Sequence, residues 1–265
     1  MLLIFLHRET ETKKSAVNKE IKYDSSKNAS EDVKASEDVK KVSEDVKRPS
    51  EDFSSSKTSE IKSESENKVE ENGKRHIPIA MGLDDEVLYP TIVAMTSVLK
   101  SKNSSSEFDF YILHPSYLSS ESISALHKFQ EIFNCGMTLF DMGDAYTNCT
   151  PGPGKAVAYY RLSLPLLLPE LDRIIWMDTD ALALDDISSM YDLDMEGLCF
   201  RGYLDVTVDC LEYLGDHSDH CICSGILLIN MKEIRDEGML PKMFEFINNN
   251  SANIKQHDQT VINYV

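Results

Sequence analysis

From "HIPIAMGLDDE" onward the chain alternates short apolar runs with segments of helical spacing. "IPIAMGL", "FDFYILH", "CGMTLFDM", "RIIWMDTD" and "EGLCFRGYLD" have strand length and read as strands. Between them, "YPTIVAMTSVLKS" predicts a helix with Pro90 near its start. Its buried stripe is expected to be Ile92, Val93, Met95, Thr96 and Leu99. "SSESISALHKFQEIF" reads as a helix with serine caps and an early Glu. "VAYYRLSLPLLLPEL" is expected to be a helix containing Pro165, and "DISSMYDLDM" a short helix with a turn. "CSGILLINMKEIRD" predicts a strand passing into a helix, and "LPKMFEFINNN" a late helix. Alternating strands and helices imply an α/β domain, a mostly parallel sheet with helices on both faces. In such sheets ligands bind at the carboxyl ends of the strands. Asp84 and Asp85 sit at one such end and Asp178 and Asp180 at another, so two strand tips are expected to share one acidic site.

Residues 1–75 follow no such pattern. "SEDVK" occurs at Ser30–Lys34, Ser36–Lys40 and Ser43–Lys47, and "SEDF" follows at Ser50. One valine per unit cannot build a core, so this segment is expected to be a disordered, solvated tether before a folded domain over 76–265. "MLLIFLH" opens the chain with an apolar run that Arg8 and Glu9 end, which is short for a signal-peptide core. No stretch reaches the roughly 18 apolar residues of a membrane span.

Charge sharpens the division. The net charge of −18 lies almost wholly in residues 77–265, which hold 28 Asp/Glu against 11 Lys/Arg. So acidic a domain repels phosphate backbones, which argues against nucleic acid as a partner. The six cysteines are too sparse for a disulfide scaffold and are expected to be thiols. "HSDHCIC" gathers His217, His220, Cys221 and Cys223, but its spacing fits no standard zinc site, so it reads as a polar loop entering a strand. Asn103, Asn148 and Asn249 head Asn-X-Ser/Thr triplets that would matter only in a secreted chain; the compartment is not fixed by the sequence.

The pair Asp178 and Asp180 carries the chemistry. Residues two apart in an extended segment point to one side, so both carboxylates can face one cation while Thr179 faces away. Hard oxygen donors suit Mg²⁺ or Mn²⁺, which keep open positions for phosphates. Haloacid dehalogenase-type phosphatases also place Asp-X-Asp at a strand end, as nucleophile and acid/base. They carry it on the first strand with Thr or Val two residues further on. Here it lies deep in the domain and Leu182 stands there.

Four ordered segments resemble glycosyltransferase family 8, which includes bacterial lipopolysaccharide galactosyl- and glucosyltransferases, glycogenin and plant galacturonosyltransferases. They are "IPIAMGLDDEVLYPTIVAMTSVL", "AYYRLSLPLLLPELDRIIWMDTDALALDDI", "CSGILLINMKEIR" and "HDQTVIN". The resemblance spans Ile77 to Val265. It implies a GT-A nucleotide-diphospho-sugar transferase fold and retaining transfer of a hexose from a UDP-sugar, UDP-glucose or UDP-galactose, to a glycan, lipid or protein acceptor. It further implies Mn²⁺ (or Mg²⁺) held by Asp178 and Asp180, with Asp84, Asp85 and Tyr159 beside the nucleotide. Arg161 would reach the phosphates and the donor sugar. Asp258 would bind sugar hydroxyls, and Gln259 would sit at the β-face of the anomeric carbon. In the bland alternatives Arg161 is a surface cation and Asp258 a helix cap. Cys223 stands where the family usually has Asn, which puts donor choice in question. The family's "H-x-x-G-x-x-K-P-W" segment has no counterpart up to Val265. The other function to weigh is therefore a relative that keeps the fold and UDP-sugar binding as a binding or interaction protein.

Overall fold

The computed structural model describes residues 2–3, 73–149, 155–205, 221–251 and 253–265. The tail expected over 1–75 lies almost wholly outside these residues, as do His217 and His220. Six strands form the main sheet: β1 (Arg75–Gly82), β2 (Ser106–His114), β3 (Gly136–Asp141), β4 (Arg173–Met177), β5 (Phe200–Asp205) and β6 (Cys221–Asn230). Their spatial order is β3-β2-β1-β4-β6-β5. The pairs β1–β2, β2–β3 and β1–β4 are parallel, whereas β6 runs antiparallel to both β4 and β5. The sheet is therefore mostly parallel, with one reversed strand between β4 and β5. A separate pairing joins Leu2–Leu3 to Ala181–Leu182 in parallel.

The helices are α1 (Leu88–Ser101), α2 (Ser120–Phe133), α3 (Leu164–Leu167), α4 (Ser188–Tyr191), α5 (Met231–Asp236), α6 (Met239–Asn250) and α7 (His257–Tyr264). Strand alternation sends neighbouring side chains to opposite faces of the sheet. Ile79, Ile175 and Leu228 enter one layer with Ala94, Met95 and Val98 of α1 and Leu126 and Phe129 of α2. Ala80, Trp176 and Leu227 enter the other, under Met231 of α5, Met243 of α6 and Val261 of α7. Ser119 caps α2, its hydroxyl accepting from the Ser122 amide.

Three sequence expectations change. The buried face of α1 is Thr91, Ala94, Met95 and Val98, while Val93 is 55% exposed. The buried stripe is therefore turned by one position from the one expected. Residues expected to form one helix around Pro165 form a 3-10 segment, Lys155–Ser163, followed by the single turn of α3. Proline lacks the amide that a continuous helix needs and restricts the residue before it, so the regular helix starts only at Pro165's own first turn. Cys135, Cys149, Cys199 and Cys223 are free thiols, but Cys221 is disulfide-bonded. A single bridge needs only two close cysteines, not a dense framework.

The last residue of β1 shows how tightly the second layer is filled. A Cβ on Gly82 would lie 2.8 Å from Cγ1 of Val157 and 3.1 Å from the indole edge of Trp176. Gly82→Ala is expected to destabilise the fold by about 1–3 kcal/mol through overpacking. The urea midpoint should fall accordingly; an unchanged midpoint would show slack in this layer.

Candidate active site

The sheet order reverses between β1 and β4. β2 and β3 lie on one side of β1, and β4 and β6 lie on the other. A crevice for ligand opens at the carboxyl ends of two such strands. β1 delivers Asp84 and Asp85 to that edge, and β4 delivers Asp178. Because β6 is antiparallel, its first half reaches the same edge: the Asp178 amide donates to the Gly225 carbonyl at 2.8 Å. α7 then adds Asp258 and Gln259, both buried. His257, at φ 47°, turns the chain into this helix.

Arg161 joins these pieces. It projects from the 3-10 segment and is 4% exposed, so it is not a surface cation. Its Nη2 donates to Oδ1 of Asp178 at 3.0 Å, and its Nη1 donates to the Ser224 carbonyl. Its Nε donates to the Ala158 carbonyl at 3.1 Å and lies 3.0 Å from Oδ2 of Asp258. The Nε hydrogen points to Ala158, so the Asp258 contact is an ion pair without an aligned hydrogen bond. Oδ2 of Asp258 is thus a buried acceptor that takes no hydrogen bond. Asp258 is also not the cap of α7, whose N-cap is Gln256. The Arg161 guanidinium stacks over the Trp176 indole, 4.3 Å from the ring centroid.

The other predicted residues divide. Gln259 accepts through Oε1 from the Ser224 amide at 3.1 Å and donates through Nε2 to Asp205 at 3.4 Å. Asp180 is exposed just beyond Asp178. Asp84 caps the short 3-10 turn Asp85–Val87, accepting from the Glu86 amide at 3.0 Å. Asp85 accepts from the hydroxyls of Ser122 at 2.6 Å and Ser119 at 2.7 Å, and these bonds hold its carboxyl below the usual range. Asp85 therefore ties the β1 tip to the start of α2. Tyr159 is 1% exposed, stacked on Tyr146 at 5.7 Å and edge-on to His257 at 6.0 Å. It supports α7 from beneath.

Several site residues were not singled out by sequence. Trp176 donates its indole N–H to Oδ1 of Asp178 at 2.7 Å. Its position two before Asp178 in a strand is the signal that could have found it. Ser224 and Gly225 fall within the quoted "CSGILLINMKEIR" segment without being singled out there, and Asp205 reaches the site through antiparallel pairing, which leaves no local signal. Tyr203 lies near Cys223 and Asp205, and its phenol is raised, chiefly by desolvation.

The donor set suits a hard cation. Oδ1 of Asp178 is taken by Arg161 and Trp176, which leaves Oδ2, and Asp180 offers a second carboxylate in solvent. A Cβ on residue 225 would stand 3.3 Å from Oδ2, so glycine keeps that approach open. No group of three His, Cys, Asp or Glu side chains gathers among the described residues. A shallow groove lined by Asp172, Arg173, Asp194 and Lys232 lies at the opposite end of β4.

Known structures place this fold. Galactosyltransferase LgtC, in complex with donor and acceptor sugar analogs, matches at a TM-score of 0.61 and 21% identity, over 71% of this chain and 69% of that one. Mouse xyloside xylosyltransferase 1 matches at 0.52 and 12% identity, over 71% and 80%. The fold is that of the GT-A nucleotide-sugar transferases. The model of glycosyl transferase family 8 matches residues 78–265, and the chain belongs to that family. It is 31% identical over 122 residues to general stress protein A of Bacillus subtilis (strain 168), covering 41% of this chain and 40% of that protein. It is 26% identical over 204 residues to lipopolysaccharide 1,2-glucosyltransferase of Escherichia coli (strain K12), covering 72% and 59%. The chain thus spans from about two fifths to three fifths of these two curated relatives. Family membership, with Asp178 on the fourth strand of the sheet, leaves no place for the dehalogenase-type reading.

Burial sets the acidity of Asp258. Desolvation pushes its carboxyl up to about 6; Arg161 opposes this, and the nearby Asp178 charge adds to it. A folded-state value above the unfolded one means the native protein takes up a proton first. Stability from this group is therefore gained as pH falls through about 6 and is lost as pH rises. Between pH 7 and pH 5 the gain should be about 1 kcal/mol. Chemical denaturation at the two values checks this, and Asp258→Asn should remove the difference.

Proposed function

We propose that the chain transfers a hexose from a UDP-sugar to a hydroxyl acceptor with retention of anomeric configuration. The observation that carries this reading is the single network in which Arg161 joins Asp178 to Asp258, with Gln259 alongside, at the strand switch. A solvent-facing carboxylate pair beside a buried carboxylate oxygen without a hydrogen bond suits a ligand that is a diphosphate at one end and a polyol at the other.

Asp178 and Asp180 would hold Mn²⁺ or Mg²⁺, which supplies Lewis-acid charge to the leaving diphosphate when bound. Arg161 orients Asp178 through its Nη2, and its own charge would stabilise negative charge developing on the leaving diphosphate. Oδ2 of Asp258 accepts a sugar hydroxyl, which fixes the ring. Gln259, held by the Ser224 amide, presents a neutral amide to the anomeric carbon. An amide is a weak nucleophile but stabilises developing positive charge at C1. In the overall reaction the C1–phosphate bond breaks with its electron pair leaving on UDP. The acceptor oxygen bonds to C1 and passes its proton to the departing diphosphate oxygen.

UDP-glucose and UDP-galactose are the donors to test, with glycan, lipid and protein acceptors following once a donor is found. Isothermal calorimetry should show UDP binding that requires Mn²⁺. The pair Asp178→Asn/Asp180→Asn should weaken Mn²⁺-dependent UDP binding at least tenfold. Equal affinity in the double variant would remove the carboxylate pair from the site. Release of UDP from one donor supports transfer; Mn²⁺·UDP binding without turnover of either donor would instead favour a binding protein.

A further inference from the structure

We infer that Trp176 is a positioning residue for Asp178, its indole N–H fixing one carboxylate oxygen so that the other is presented to a cation. This rests on the reading of Asp178 as a cation ligand. The indole nitrogen lies 2.7 Å from Oδ1 of Asp178, closer than the 3.0 Å of Arg161 Nη2 to the same oxygen. Oδ2 takes no hydrogen bond among the described residues. Two donors on one oxygen fix the rotation of a side chain that is otherwise free to turn at a strand end.

The indole itself has nowhere to go. Trp176 is 1% exposed, and its ring edge faces Gly82 so closely that a Cβ there would stand 3.1 Å away. Arg161 lies over its face at 4.3 Å. An indole N–H is a donor only. The tryptophan thus aligns two groups at once, the carboxylate through its edge and the guanidinium through its face. A phenylalanine would keep the second contact and lose the first. Partners that orient a metal ligand commonly change metal affinity by about 10–100-fold when removed.

The chain holds one tryptophan, so replacing tryptophan throughout by its benzothienyl isostere alters this position alone. The isostere keeps the ring shape and the face under Arg161 and removes only the N–H. Mn²⁺ affinity in the presence of UDP is measured by electron paramagnetic resonance on the full chain, with Trp176→Phe as a second variant and circular dichroism as the check on folding. The expected result is Mn²⁺ binding weakened about tenfold in the isostere. The melting temperature should move little, because packing is unchanged. Unchanged Mn²⁺ affinity in the isostere, with Asp178→Asn impaired, overturns the positioning role alone. If Asp178→Asn binds Mn²⁺ as tightly as the parent chain, the cation reading of Asp178 fails and this inference fails with it.

Discussion

A guanidinium shut away from water governs this structure. Burying an unpaired charge is prohibitive, and removing one member of a buried pair costs about 3–5 kcal/mol. Arg161 meets that constraint by drawing on four places in the chain: Ala158 beside it, Asp178 beyond β4, Ser224 in β6 and Asp258 in α7. Each partner contributes a carbonyl or carboxylate oxygen, and the Trp176 face closes the remaining side. The arrangement that keeps the cation stable is the same one that sets the acids beside each other. Fold and site are therefore not separable at this point.

The reversed strand makes the arrangement reachable. In a wholly parallel sheet every strand presents only its carboxyl end to the crevice. Here β6 runs the other way, so Ser224 and Gly225, near its beginning, lie against Asp178. A backbone carbonyl from β6 reaches the cation, and a residue without a side chain lies against the acid's open oxygen.

What the sequence discloses follows from how local each signal is. Asp178 and Asp180 were legible because an apolar run, a strand length and two acids occur within ten residues. The cap on α2 was legible because Ser119 and Glu121 act within one turn. The burial of Val93 was misread because periodicity marks an apolar face without saying that Thr91 and Ala94 are the buried positions. The helix drawn through Pro165 was misread because apolar spacing outweighed a missing amide. Asp258 had two readings, a ligand of sugar hydroxyls or a helix cap, and the N-cap at Gln256 with Asp258 buried against Arg161 excludes the second. Ser224, Asp205 and the Cys221 bridge depend on contacts across the fold, and a linear reading has no access to those.

The order in which the chain is made gives Arg161 a further consequence. Arg161 and Asp178 are separated by 17 residues, but Ser224 follows Arg161 by 63 and Asp258 comes later still. At translation rates of about 5–20 residues per second, the guanidinium waits on the order of several seconds for its second carboxylate. Until α7 is made, the guanidinium has only one of its two carboxylate partners. The layer around the guanidinium thus depends on a helix encoded about a hundred residues after Arg161, and not on the sheet alone.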